Sequence, residues 1–450
     1  MADGIIFERL GVQAASIVTD AFTQSSNAMA RMQGATGYRY VMIPHPLSSL
    51  TPEEVRQRAA EILPDVLSIL GLDEEAPAAA PPAGEQATAG PEDVPAVSVE
   101  DISAQEVRDF QRVVEYYYEQ GWTDGLPVVP VSPDSVAEFV DYVGRDPQEE
   151  LLAVEHLGRS CTVGLAATAA AMAGCRKEHF PVLLAVTGAM ADMELALLQS
   201  TTGQAVMVIV NGPVRTALGF NGAGNVFGPG FRSNATIGRA VRLLVMNAFG
   251  VRPRSFDQST QGTPAKYSFC IAENEEESPW EPLHVERGLG AGSSAVTTHF
   301  ARSTLHVENR ASNRPEEVLA TIADSMSYAG SVGGRAATVV MGPEHAHLLA
   351  RHGWSKQRAK EFLFENWGRR QSDLRRFGLA RGDGTGGDPL AGVGDGPGGD
   401  EFIRFGDSPD SIVLVVGGAH SAGLSTVVPA HRPIRHTTAF HTKEVVAPGG

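Results

Sequence analysis

The chain has 450 residues and a formal charge of -17, from 36 Lys and Arg against 53 Asp and Glu. That length exceeds one ordinary core, so two or three domains are expected. An acidic balance of this size repels phosphate backbones and anionic lipid heads, which argues against nucleic acid and membrane surfaces as partners.

The longest apolar runs, such as Ala205 to Val210 and Ile412 to Val416, are strand-length and too short to span a bilayer. The N-terminus, Met-Ala-Asp-Gly, lacks the basic and long apolar regions of a signal peptide. Three cysteines, Cys161, Cys175 and Cys270, make no disulfide framework and form no CxxC pair. These features together lead to the expectation of a cytoplasmic α/β protein.

In chain order, residues 11 to 22 read as a strand running into a turn, and Tyr38 to Ile43 as a second strand. Thr51, with Pro52 behind it and Glu54 three positions on, is a capping box that opens a helix ending before Gly71. Residues 1–72 are thus expected to form a small, partial α/β domain. From 73 to 100 the chain is Ala, Pro, Glu and Gly with few large apolar residues, which predicts a disordered linker.

The remainder, 101–450, reads as a larger α/β sandwich domain with a mostly parallel or mixed sheet. Strand-like Ala205 to Val210 precedes a glycine-rich turn and a helix from Ala235 to Ala248. Ala336 to Met341 precedes a helix around Lys356 to Trp367, and Ile412 to Val416 supplies another buried strand. Val128 to Val131 is expected as a further strand. The glycine-rich run at 381–400 predicts a mobile loop, and no fixed-period repeat is visible.

Four segments carry candidate chemistry. Gly121 to Pro127 places Asp124 in a compact turn before the expected strand. Next, Cys175 lies beside Arg176, Lys177 and His179, electropositive surroundings that lower a thiol pKa; a small buried hydrophobe at the end of the helix Leu165 to Ala173 is the equal alternative. The third runs from Asn211-Gly212-Pro213 through a glycine-rich stretch with Gly228 and Gly230 to Arg232, Asn234 and Arg239. A glycine loop at a helix N-terminus presents amide donors to an anion, with a purely structural turn as the alternative. It matches neither nucleotide-binding glycine motif.

The fourth segment begins at Lys266, an anion-binding candidate, and holds six carboxylates through Glu286, including Glu273, Glu275 and Glu281, with one imidazole, His284. Glu275, Glu281 and His284 offer hard ligands suited to a divalent metal, and Glu273 an acid/base group; a solvated face is the bland reading. The cofactor is otherwise unknown. Histidines at His345, His347 and His420 read mainly as helix-capping groups.

The segments GWTDGLPVVP, MAGCRKEHFPV, VNGP, FGPGFRSNATIGRAVRL and KYSFCIAENEEESPWEPLHVERG together resemble the large domain of the UGSC-type (seleno)protein family, over about residues 110 to 440. TDAFTQSSNAMARMQGATGYRYVMIPHPLSSLTPEEVRQRA resembles the second half of that family's small N-terminal domain. The Sec/Cys-Gly-Ser-Cys motif for which the family is named has no counterpart before Ile5. The resemblance implies a redox enzyme and raises three readings of that gap: the motif lies on a separate short Cys- or Sec-containing polypeptide, the start is misassigned, or the redox pair is dispensed with.

Three functions follow as expectations. The first is a small-molecule enzyme using thiol or redox chemistry, an oxidoreductase or thiol-dependent enzyme with Cys175 as its thiol. The second is a metal-assisted lyase or hydrolase using Glu273, Glu275, Glu281 and His284. The third is a non-catalytic partner subunit that completes a split domain. An oligomer is expected in each case, because the small N-terminal unit leaves an unpaired strand edge.

Overall fold

The computed structural model describes residues 1–45, 47, 50–72, 103–328, 335–379, 400–431 and 438–448. The expected linker at 73–100 and almost all of the expected mobile loop at 381–400 lie outside these residues. The chain is α/β in class and divides into two compact units. One comprises Met1–Ser103 with Arg310–Asn313 and His420–Gly423; the other comprises Ala104–Asn309, Arg314–Ala419 and Leu424–Gly450. Among the described residues, no helix is long and apolar enough to cross a membrane.

The smaller unit contains α1 (Ala2–Arg9), β1 (Ser16–Thr19), α2 (Thr23–Met32), β2 (Tyr40–Ile43) and α3 (Pro52–Ile69). β1 and β2 pair in parallel, Ser16 opposite Tyr40 through Thr19 opposite Ile43. The box that opens α3 forms as its residues require: Thr51 Oγ1 accepts from the Glu54 amide, and the Thr51 amide donates to Glu54 Oε2 at 2.7 Å. Ile5, Ala30, Val41 and Ile43 make a small buried core, while Ile17 and Met42 remain 50 % exposed.

The larger unit opens with α4 (Ala104–Glu119), α5 (Pro133–Val143), the hairpin β3 (Glu150–Val154) and β4 (Arg159–Thr162), and helices α6 (Val163–Ala173) and α7 (Phe180–Ala191). Then come β5 (Ala205–Asn211), α8 (Val214–Leu218), α9 (Arg232–Asn247), β6 (Cys270–Ala272), α10 (Leu283–Glu286), β7 (Ala295–Ala301) and β8 (Leu305–Glu308). The second half carries α11 (Pro315–Met326), β9 (Arg335–Met341), α12 (Pro343–Arg351), α13 (Lys356–Asn366), β10 (Gly368–Arg370), α14 (Gln371–Arg376), β11 (Phe402–Arg404), β12 (Ile412–Val416), β13 (Leu424–His431) and β14 (His441–Glu444).

Eight strands form one mixed sheet. Its main path runs β12-β9-β13-β7-β5-β6, with β14 beside β7 and β8 beside β13. β5 is parallel to β6 and antiparallel to β7; β9 is parallel to β12 and antiparallel to β13. The same helix-rich connectivity is therefore used twice, and the two halves join where β7 meets β13. This repetition escapes the sequence because little more than the burial pattern and a terminal Gly-Pro recurs. Each central strand ends in Gly-Pro, at Gly212-Pro213 and Gly342-Pro343, and at both glycines an added Cβ would lie 2.1 Å from a backbone oxygen, of Ser293 and Leu424 respectively.

Period-two alternation sends the strand side chains to two different cores. Val206, Val208 and Val210 pack under α6, α7 and α9, whereas Ile412, Leu414 and Val416 pack with α11, α12 and α13. The opposite faces, including Met207, Ile209, Ile271, Val340, Val415 and Val428, gather into one shared interior cluster. A sheet can do this only by curling, and its edges meet where the Asn274 amide donates to the Val416 carbonyl at 2.8 Å. Val128 to Val131 joins no ladder. Its backbone is instead anchored by the Val129 amide on the Met172 carbonyl and the Val131 amide on the Tyr117 hydroxyl.

Candidate functional site

The closure of the sheet brings the C-terminal ends of β5 and β6 to α10. β5 is buried along its whole length and ends at Asn211, and Gly212 turns the chain with φ +81°. Beyond β6, the Glu273 amide donates to the Val210 carbonyl, so Glu273 continues the sheet inward instead of reaching solvent. Glu273 Oε2 accepts from Asn211 Nδ2 at 2.6 Å and from the Leu283 amide at 2.8 Å. Burial raises its pKa, outweighing the positive charge of Lys356 and these two donors.

Glu275 lies beside it. Its Oε1 accepts from the Gly212 amide at 2.7 Å and from Asn211 Nδ2 at 3.0 Å, and its Oε2 pairs with Arg215 at 3.0 Å. Arg215, on α8, also donates to the Glu273 carbonyl and to both oxygens of Glu276. His284, on α10, is fully buried with Nδ1 4.0 Å from Glu275 Oε1.

Within this one cluster, five buried polar atoms have no hydrogen-bond partner among the described residues: Asn211 Oδ1, Arg215 Nε, Glu273 Oε1 and both ring nitrogens of His284. Leaving a buried donor or acceptor unpaired costs about 1–3 kcal/mol, so their concentration here sets this cluster apart from the surrounding core. A protonated Glu273 would offer a donor at Oε1, and His284 offers one donor and one acceptor when neutral.

The other expected site residues have different roles. Cys175 is 7 % exposed and burial pushes its thiol pKa up to about 12, so the electropositive sequence neighbours do not yield a thiolate. His179 is neutral, its pKa lowered to about 4 by burial and by Arg176 and Arg232. Its Nδ1 accepts from the Arg176 amide, and Nε2 faces Ser233 Oγ at 3.2 Å. Arg232 donates twice to the Gly174 carbonyl, capping α6. Arg239 holds Asp124 at 3.0 and 2.9 Å and donates to the carbonyls of Leu126 and Pro127. Lys266 is bound to Asp257 and Ser259.

The glycine-rich stretch is tied to itself. Asn234 fixes both backbone groups of Asn221, Asn225 Nδ2 donates to the Pro229 carbonyl, and Gly228 packs so closely that a Cβ would lie 1.9 Å from Asn225 Oδ1. Gly230 adopts φ +121°, open only to glycine. The cations expected to neutralise an anion there serve as backbone clamps instead. Glu281 is exposed, and Glu275, Glu281 and His284 do not come together as a three-donor set for a metal.

His345 does not cap a helix. It bonds through Nδ1 to Ser425 Oγ at 2.8 Å and through Nε2 to the Asn309 carbonyl at 3.0 Å. Arg215 and Glu276 are members of the cluster that sequence reasoning does not find, because Arg215 meets its partners across about 60 residues of chain. The one local signal is its position two residues after the Gly212-Pro213 turn.

Residues 1–72 match the family model of the UGSC family. No curated protein and no solved structure matches the chain.

Proposed function

With a UGSC-family segment at residues 1–72 as the premise, we propose that the chain is a small-molecule enzyme that works by proton transfer, a lyase or hydrolase, with its reacting centre in the larger unit at Glu273, His284 and Asn211. One observation carries this reading: the five unpartnered polar atoms gathered around a buried carboxyl whose pKa is raised. Glu273 Oε1 is the general acid, releasing a proton to the substrate and taking one back. Asn211 and the Leu283 amide hold Oε2 and so fix the carboxyl plane.

His284 supplies the second proton-exchanging group, while Glu275 and Arg215 set the turn from which Asn211 projects. Thiol chemistry at Cys175 has less support, since that sulfur is buried and poorly ionised. Glu273→Gln and His284→Gln variants test the proposal against a panel of small organic acids and esters. Loss of turnover in both, with the fold retained, is the expected result. Turnover that survives Glu273→Gln but is lost in Cys175→Ser would replace this reading with the thiol one.

A second reading concerns the smaller unit. Its sheet has two strands, and Ile17 and Met42 on them are 50 % exposed. These two side chains point to opposite faces, since Ile17 registers with Val41 and Met42 with Val18, so a separate polypeptide that adds an edge strand would extend the sheet and shelter at most one of them. Light scattering of the full chain, alone and with a short Cys-containing candidate polypeptide, tests it; a monomer that ignores the polypeptide contradicts it.

A further inference from the structure

Against α10 lies a cavity of about 230 Å³. Leu283, Ile412 and Val413 form its apolar floor. Leu283 also donates its amide to Glu273 Oε2, so one turn of helix separates the cavity from the reacting carboxyl. Arg287, Lys360, Glu286 and Asp410 supply the polar wall.

That wall carries two charges of each sign, and they are unevenly paired. Glu286 is committed to Lys356 at 2.7 Å and to Lys360 at 2.8 Å. Asp410 reaches Lys360 at 3.5 Å with its side chain 85 % exposed, so water screens it. Arg287 donates one N–H to the Phe440 carbonyl and lies 5.9 Å from that ring, yet no described carboxylate comes within salt-bridge distance of its guanidinium. Burial of this half-buried guanidinium lowers its pKa, against the opposing pull of the carboxylates Glu286 and Asp410, neither of which reaches it as a salt bridge. In a chain carrying -17 overall, two cations, Arg287 and Lys360, line this cavity, and Glu286, the sheltered carboxylate beside them, is already paired to Lys356 and Lys360.

We infer that this cavity is a binding site for the carboxylate or phosphate group of a small organic anion, ion-paired to Arg287 and supported by Lys360. The planar guanidinium presents paired donors that match either oxyanion. A volume of about 230 Å³ admits a molecule of several heavy atoms and no polymer. Describing the anion as the substrate rests on the proton-transfer reading above; its binding does not.

Calorimetry on the full chain at constant ionic strength tests the site, with malonate and inorganic phosphate as probes and chloride as the control. Saturable binding of at least one probe is expected, weakened about tenfold or more in Arg287→Gln and less in Arg287→Lys, with Lys443→Gln unchanged. Circular dichroism checks that the variants are folded, and Arg287→Lys keeps the test decisive if Arg287→Gln is not. The absence of saturable binding, or Arg287 variants that bind like the parent, overturns the inference. Glu273→Gln should bind each probe as the parent does, so failure of the anion site and failure of the acid/base reading are separable.

Discussion

Replacing Arg239 with leucine distinguishes a clamp from an anion-binding group. Arg239 makes two bonds to Asp124, at 3.0 and 2.9 Å, and two more to the carbonyls of Leu126 and Pro127. The Asp124 side chain is only 2 % exposed, so removal of Arg239 leaves a buried carboxylate with the Leu126 amide, at 3.2 Å, as its remaining donor. Breaking such a pair from one side costs about 3–5 kcal/mol, because the remaining charge is held out of water and has lost its cationic partner. The double variant Asp124→Leu/Arg239→Leu removes both charges and should recover most of that loss. Urea unfolding of the parent, the two single variants and the double variant gives the coupling directly. A loss below about 1 kcal/mol in Arg239→Leu, with impaired binding of a small anion, would refute the clamp and restore Arg239 as an anion-binding residue.

Three further outcomes are expected. Gly212→Ala should destabilise the larger unit by about 2 kcal/mol or more, since φ is +81° and the new Cβ would sit 2.1 Å from the Ser293 carbonyl oxygen; unfolding at the parent's urea midpoint would contradict this. With its pKa pushed up to about 12, Cys175 holds roughly one thiolate in ten thousand at pH 8, so iodoacetamide should label the folded chain far more slowly than a free thiol; rapid labelling of Cys175 before unfolding would disprove it. His179 and His299 have folded pKa values of about 4, below the ordinary histidine value of about 6.5, so the unfolded chain binds more protons between those limits. Their contribution to stability is present above about pH 6.5 and is lost as pH falls toward 4. His299→Leu should flatten that part of the urea-midpoint profile, and an unchanged profile would count against it.

The parts of the fold legible in the sequence are those specified locally. Thr51-Pro52 with Glu54 is a complete helix start, and the strands at 205–210, 336–341 and 412–416 declare themselves by apolar runs bounded by glycine. Val128 to Val131 has the same composition without a ladder, because strand formation depends on a neighbour that composition does not supply. The doubled connectivity is invisible for a related reason: β5 and β9 share alternation and a terminal Gly-Pro, and many apolar residues satisfy both.

The candidate site was half legible. Glu273, Glu275, Asn211 and His284 stand out as polar residues against apolar strands, and they do meet. Arg232, Arg239 and Lys266 look the same in sequence whether they hold an anion, a carbonyl or a buried aspartate, and the structure shows the last two uses. Arg215 and Arg287 emerge only when distant segments fold together.

The central claim is that Glu273 is a buried carboxyl poised to give up a proton. The pH titration of its carboxyl, followed by difference infrared spectroscopy and assigned with Glu273→Gln, tests this most directly. A raised folded pKa means the folded state keeps a proton that the unfolded state has released, so the stability it confers is full at low pH and is lost as pH rises from the ordinary glutamate value through the folded one. The account predicts a carboxyl that stays protonated above the ordinary glutamate range, and loss of the protonated-carboxyl band in Glu273→Gln. A Glu273 that ionises at or below the pKa of an exposed glutamate would contradict it.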